Sequence, residues 1–219
     1  HECSSAASDV YKRQAPKKSK LLEVGKKASL HFVEGEEQRS WQHQDYYSSV
    51  SIPDNSLLSG MIEKAIDIGK KADIILNFSY DWLPIWMTLN INIPIAHIIS
   101  MGSESFVISN LISKVYSKFP NNFAFHSKIQ ASDYPFIENP TVLGNGFNLR
   151  NYIFQDCKNG PLGWVGRVAP EKGLEDAAYV ANALGEKLNV WGIVQDESYA
   201  SKIEKLFPPG VLELSLIHI

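Results

Sequence analysis

The chain has 219 residues, of which 44% are hydrophobic and 21% are charged, a composition that can bury a core and is unlike that of disordered proteins. The net charge of -3 provides no basic field that would favour nucleic acid, and no apolar run is long enough to cross a bilayer. Two cysteines are too few for a disulfide framework and favour a cytoplasmic location, while peripheral membrane contact stays open.

The two ends of the chain stand apart from the rest. Residues 1–14 (HECSSAASDVYKRQ) and 214–219 (LSLIHI) resemble translated adapter sequence, and we expect both to be tails outside the fold. On that interpretation the natural protein extends past both ends of this sequence. The alternative is a polar N-terminal tail and a true last strand.

The first third of the chain predicts a strand, a loop, a helix and a second strand. Residues 21–33 partly alternate apolar and polar side chains, as a strand or hairpin does. Residues 38–55 are polar and aromatic and indicate a loop. Ser56 is a candidate cap for a helix that runs to residue 71. The apolar run 73–78 (DIILNF) is typical of a buried strand with both faces covered.

The alternation of strands and helices then continues on both sides of a polar segment. The predicted elements are a strand at 91–99, a helix at 103–119, a strand at 123–126, a helix at 128–134 capped by Ser127, strands at 141–143 and 162–168, a helix at 171–184, a strand at 188–194 and a helix at 198–207. Residues 151–161 are rich in turn formers, and they separate a predicted domain at 15–150 from another at 151–213. Such alternation predicts an α/β protein with two Rossmann-like parallel sheets.

The most informative segment is 164–173 (WVGRVAPEKG). A strand is predicted to end near Val168 and a helix to begin near Pro170, with Arg167 at the strand end and Lys172 in the first helical turn. Two cations in front of a helix N-terminus suit a diphosphate bound without a metal ion. The alternative is a surface ion pair of Arg167 with Glu171 or Glu175.

The string GRVAPEKG at 166–173 resembles the G-R-x-x-x-E-K-G signature of family 4 retaining glycosyltransferases. The resemblance implies the two-domain GT-B fold, with the nucleotide sugar on the second domain and the acceptor on the first. It implies that Arg167 and Lys172 are catalytic, binding and stabilising the departing diphosphate. Gly166 and Gly192 would line the donor site. The implied reaction moves a hexose, such as glucose from a UDP donor, to a small molecule or glycan without a cofactor.

Three segments of the first domain carry the acceptor side of this hypothesis. Residues 142–148 (VLGNGFN) resemble the family's N-G-[IV]-D turn, which implies acceptor-side positions for Asn145 and Gly146. Ser100 falls where the family often has a histidine, and Gly102 would permit close approach of the sugar. Asp81 follows the predicted strand 73–78, beside Tyr80, Trp82 and Trp86, whose rings could stack on an acceptor or simply belong to the core.

Residues 99–105 (ISMGSES) also resemble a bacterial subgroup, the UDP-glucose:tetrahydrobiopterin glucosyltransferases. His97 lies three residues before the family's histidine position, and we interpret it as a hydrogen-bonded internal histidine. The family's glycine loop would precede residue 15 and its E-x-x-x-x-x-x-x-E carboxylates would follow Glu213, so this chain alone is expected to be inactive.

Other functions remain open at this stage. A nucleotide-sugar epimerase of the same fold, a non-catalytic nucleotide-sugar-binding module and a phosphorylase share the same features. No metal site is expected, because His31, His43, His97 and His126 lack ligand spacing and there is no CxxC motif.

Overall fold

A computed structural model of the chain describes residues 11–17, 28–41, 44–146, 149–151, 153, 160–206 and 212–216. In these ranges the protein is α/β, and the strands of all three sheets pair in parallel. The chain divides between residues 147 and 148 into two compact units, here called the N-unit and the C-unit.

The helices and strands follow one another in the predicted order, with shorter bounds. The N-unit contains β1 (Tyr11–Pro16), β2 (Ala28–Val33), α1 (Leu57–Gly69), β3 (Ile75–Asn77), α2 (Trp82–Met87), β4 (Ile95–Ile99), α3 (Phe106–Tyr116), a 3-10 turn (Pro120–Asn122), β5 (Phe123–Phe125), α4 (Lys128–Ala131) and β6 (Thr141–Val142). The C-unit contains a 3-10 turn (Leu149–Asn151), β7 (Leu162–Val165), a 3-10 turn (Pro170–Lys172), α5 (Leu174–Leu184), β8 (Leu188–Gly192), α6 (Glu197–Glu204) and β9 (Leu212–Leu216).

Each unit has its own core, built where helices cover one face of a sheet. The strand orders β3-β4-β5-β6 and β7-β8-β9 follow the chain, so right-handed crossovers put successive helices on the same face. The N-unit core contains Ile85, Ile99, Ile108, Ile112, Val115, Phe123 and Phe125. The C-unit core contains Val168, Leu174, Ala178, Ala181, Leu188, Val190 and Ile203.

The opposite sheet faces are exposed, which corrects the prediction that strand 73–78 is covered on both sides. The strand is only Ile75–Asn77, at the edge of its sheet, and Leu76 and Phe78 are 49% and 64% exposed. Val165 on β7 is 78% exposed. The apolar run predicted a strand correctly, but the helices that follow all pack against the other face.

Several predicted helix caps are confirmed. The hydroxyl of Ser56 accepts a hydrogen bond from the Ser59 amide, and Ser127 caps α4 in the same way through the Gln130 amide. Asp196, one of two candidates for α6, accepts from the Tyr199 amide at 2.9 Å. Short polar side chains at these positions satisfy amides that the first helical turn leaves unpaired.

The predicted tails lie only partly among the described residues. Tyr11–Pro16 forms β1 and pairs with β2 along six consecutive positions, so the end of the predicted N-terminal tail is a strand here. Leu212–Leu216 pairs with β8. Residues 1–10 and 217–219 lie outside the described ranges, as do 18–27 of the first predicted strand or hairpin.

Candidate functional site

The loop at 166–173 leaves the carboxyl end of β7 beside the end of β8. The amide of Gly166 donates to the Trp191 carbonyl at 3.0 Å, and the amide of Val168 donates to the Ile193 carbonyl at 2.9 Å. Val168 forms an isolated parallel bridge with Val194. The regular strand therefore ends earlier than predicted, while the backbone stays tied to its neighbour as far as Val168.

The helix predicted from residue 171 begins later, so the predicted position of Lys172 in its first turn is wrong. Pro170–Lys172 is a 3-10 turn, and Gly173 follows it in the left-handed conformation with φ of 62°. Helix α5 starts at Leu174, with Gly173 as its N-cap. A left-handed residue interrupts helical geometry, and glycine adopts it without strain, so Lys172 lies one turn before the helix.

Arg167 makes the contacts of the surface alternative. Its guanidinium lies 3.1 Å from a carboxylate oxygen of Glu171, and it also donates to the side-chain oxygen of Gln195. The side chains of Arg167 and Glu171 are 36% and 56% exposed. Pairs this exposed contribute about 0.2–1 kcal/mol, which a bound anion could readily exchange.

Lys172 lies on the same loop and is exposed, and no ion pair joins it to another residue of the described ranges. The first turn of α5 carries Glu175 and Asp176. Glu175 accepts a hydrogen bond from the Tyr199 hydroxyl, which lowers the pKa of Glu175. These carboxylates offset the positive helix end, so an anion at this edge would depend mainly on the two cations.

Packing between β7 and β8 explains both predicted donor-site glycines. A Cβ on Gly192 would lie 1.7 Å from the Gly166 carbonyl oxygen, and a Cβ on Gly166 would lie 2.9 Å from the Trp164 ring. The close backbone approach expected at Gly192 is therefore made by the neighbouring strand. A role of either glycine in donor binding stays a prediction.

In the N-unit, the loop after β4 is held in place by α4 and the residue that follows its turn. Ser100 is exposed directly beyond β4. The Gln130 amide donates to the carbonyls of Ile99 and Met101 at 3.0 and 2.7 Å. The Tyr134 hydroxyl lies 2.8 Å from the Gly102 carbonyl and donates to it. The sequence gave no signal for this clamp, because its partners lie about thirty positions apart.

Gly102 is also required by its surroundings. A Cβ at this position would lie 2.4 Å from a carboxylate oxygen of Asp133. Gly102 and Ser100 thus sit together on a fixed loop at the carboxyl end of β4, where small molecules bind in sheets of this kind.

His97 is an internal, hydrogen-bonded histidine, as predicted. It is 0% exposed, and its Nδ1 and Nε2 lie 3.0 Å from Asn77 Nδ2 and 2.7 Å from Thr88 Oγ1. The Asn77 amide is oriented by two bonds to Ser79, so Nδ1 accepts and Nε2 donates. Burial lowers the pKa of His97 to about 4, which keeps the ring neutral at pH 7.

Asp81 is 5% exposed and serves as the N-cap of α2. One carboxylate oxygen accepts from the Leu83 amide and the other from the Trp41 indole at 3.2 Å. Burial raises the pKa of Asp81 despite these bonds. The contacts support a structural role for Asp81 and leave it little surface for an acceptor.

The two tryptophans beside Asp81 pack against the core. Trp82 and Trp86 stack with centroids 5.0 Å apart, and the Lys114 ammonium lies 5.1 Å from the Trp86 ring. Asn145 and Gly146 are exposed beyond β6, after a carbonyl at Gly144 that bonds to His126 at 3.2 Å. They lie at the same sheet edge as Ser100, and their contact with an acceptor stays a prediction.

Two searches of the described residues gave negative results. No group of three or more His, Cys, Asp or Glu side chains there is placed to hold a metal ion. No helix in the described part of the chain has the length and apolar character needed to span a membrane.

Comparison with known proteins gives one structural similarity. No protein-family model matches the chain, and no curated protein matches it. Among solved structures, the chain is similar to AviGT4, a glycosyltransferase involved in avilamycin A biosynthesis, with 16% identity and a TM-score of 0.48. The match covers 69% of this chain and 44% of the AviGT4 chain, so the present chain spans less than half of that protein.

Proposed function

We propose that the chain is part of a retaining glycosyltransferase of family 4 that binds a nucleotide sugar, with UDP-glucose as the first donor to test, at the 166–173 loop. The observation that carries the proposal is the placement of Arg167 and Lys172 on one loop at the carboxyl end of a parallel strand. The sequence of that loop, GRVAPEKG, resembles the family signature. Ser100, Gly102, Asn145 and Gly146 would face the acceptor at the corresponding edge of the N-unit sheet.

In the proposed reaction the loop binds the donor diphosphate and stabilises it as it leaves. Arg167 would exchange its bond to Glu171 for a phosphate oxygen, which a guanidinium can bind through two parallel hydrogen bonds. Lys172 would add a second charge from the exposed side of the loop. Charge that develops on the leaving diphosphate is where fixed cations lower the barrier most.

The first experiment measures UDP binding to the chain by calorimetry. We expect Arg167→Ala and Lys172→Ala each to weaken binding about 10- to 100-fold, since a bond to a charged group is worth about 1.5–3 kcal/mol. Lys187→Ala removes the same charge at the opposite end of the sheet, where the Lys187 carbonyl pairs with Leu162, and should leave UDP affinity unchanged.

A fourth variant separates the proposal from the surface alternative. Glu171→Gln releases Arg167 from its ion pair and should tighten UDP binding severalfold. If Arg167→Ala and Lys187→Ala bind UDP equally well, Arg167 is a surface ion-pair residue and the proposed donor site is wrong. In a complete enzyme, Arg167→Ala should also lower turnover about 10²- to 10³-fold, by analogy with loss of one oxyanion donor.

A further inference from the structure

The N-unit exposes three aromatic rings that contact one another. Tyr46, Tyr47 and Phe106 are 40%, 76% and 43% exposed. Their ring centroids lie 4.9 Å apart for Tyr46–Tyr47, 5.3 Å for Tyr47–Phe106 and 6.1 Å for Tyr46–Phe106. The Tyr46–Tyr47 and Tyr46–Phe106 pairs meet edge to face, so none of the rings is hidden in a parallel stack.

The three rings are fixed by backbone contacts. Phe106 begins α3, and its amide donates to the Tyr46 carbonyl at 2.9 Å. The Ser48 amide donates to the Asp45 carbonyl at 2.9 Å and closes a turn around the two tyrosines. The platform is therefore presented on ordered backbone at the start of an eleven-residue helix.

The loop that carries the tyrosines is anchored to the carboxyl side of the sheet. Its ends meet in a bridge between Glu36 and Ser56, and within it the Trp41 indole donates to buried Asp81, just beyond β3. Connections of this length without helix or strand are uncommon in compact domains and usually serve binding. Here the loop holds aromatic side chains beside the entrance to α3.

The platform adjoins the acceptor-side loop. Phe106 lies six positions after Ser100, and the intervening turn is compact, with the Glu104 amide donating to the Gly102 carbonyl at 2.8 Å. Ser103 and Ser109 join the loop to α3 through a hydroxyl contact of 2.7 Å. Exposed rings next to polar groups at the carboxyl edge of a parallel sheet suit a ligand with a flat face and a polar rim.

We propose that Tyr46, Tyr47 and Phe106 form a platform that binds the face of a six-membered ring in the acceptor. The proposal rests on the proposed function only in identifying that ligand as the acceptor. Aromatic faces bind planar rings by stacking and bind the apolar face of a pyranose by packing. The shared chemistry is one flat ring face, and the platform would orient it toward Ser100.

The test uses the intact chain and saturation-transfer NMR with three probes. The probes are p-nitrophenol as a planar ring, methyl α-glucopyranoside as a pyranose and sorbitol as an acyclic polyol. We expect one of the two rings to bind, sorbitol not to bind, and Tyr47→Ala to weaken ring binding about three- to tenfold, the range for one aromatic contact. Which ring binds identifies the acceptor class.

Tyr179→Ala is the matched control, because Tyr179 is 77% exposed, like Tyr47, but lies on α5 in the C-unit. It should leave ring binding unchanged. Phe106→Leu tests the same platform from α3 and should weaken ring binding as Tyr47→Ala does.

Equal ring binding by the natural chain and Tyr47→Ala would overturn the platform. So would a change of sedimentation coefficient in Tyr47→Ala without ring binding, because it would make the rings a contact between copies of the chain. UDP binding, measured in parallel, separates the two proposals. Its loss in Arg167→Ala alone concerns the donor loop, whereas ring binding reports on the platform.

Discussion

At the scale of single residues, His97 shows how burial controls protonation. The ring is enclosed by Asn77, Thr88 and Phe123, and these neutral neighbours leave burial as the cause of its low pKa. The folded protein therefore holds a neutral imidazole at pH values where an unfolded chain, with a histidine pKa near 6.5, is protonated.

This difference predicts a loss of stability in mild acid. Between the folded pKa of about 4 and the unfolded value of 6.5, the unfolded state binds more protons, so the free energy of unfolding falls as pH drops through that window. The contribution of His97 is fully present above pH 6.5 and lost below pH 4, and amounts to about 3 kcal/mol. Urea unfolding at several pH values measures it.

His97→Gln provides the comparison, because a glutamine does not titrate. The variant should show a shallower decline of stability from pH 6.5 to 4 than the natural chain, even if it is less stable at pH 7. Parallel declines in the two proteins would mean that His97 is protonated in the folded state.

At the scale of elements, the approach of β7 and β8 depends on glycine. Gly192→Ala would bring a methyl group onto the Gly166 carbonyl, and the strands would have to separate. We expect a destabilisation of about 1–3 kcal/mol, the usual cost of overpacking, measured by urea denaturation. Gly146→Ala is the control, since a Cβ there meets nothing within 4 Å. Equal stability of the two variants would contradict this packing.

The elements also show what can be predicted from sequence. Helix α3 was predictable because Ile108, Leu111, Ile112 and Val115 recur at helical spacing, and all four are buried. The start of α5 was not, because Pro170, Glu171 and Lys172 all suit a first helical turn. Only the left-handed backbone of Gly173 separates that turn from the helix.

The candidate site divides in the same way. Arg167 was placed correctly beside the end of a strand, because the pattern around it is local. Its partner was left open between a phosphate and Glu171, since both interactions use the same cation. The clamp of Gln130 and Tyr134 on the loop after β4 and the anchoring of Trp41 on Asp81 join distant segments, and no local pattern reports them.

At the scale of the whole molecule, the two cores have no residue in common. The N-unit core lies between the β3–β6 sheet and helices α2 and α3, and the C-unit core lies between the β7–β9 sheet and helices α5 and α6. Units with separate cores can unfold in separate steps, so a single free energy of unfolding need not describe the chain.

This separation predicts that a cavity in one core leaves the other unit protected. Ile112 on α3 and Leu174 on α5 are both 0% exposed, and truncation of either to alanine should cost its own unit about 2–5 kcal/mol. Hydrogen exchange read by mass spectrometry should show faster exchange in β4–α3 peptides for Ile112→Ala and in β7–α6 peptides for Leu174→Ala. If either substitution accelerates exchange equally in both units, the cores unfold together and the chain behaves as one cooperative body. If the effects separate, a variant that loses UDP binding through Leu174→Ala should keep ring binding at Tyr47, which allows the donor and acceptor proposals to be tested independently in one chain.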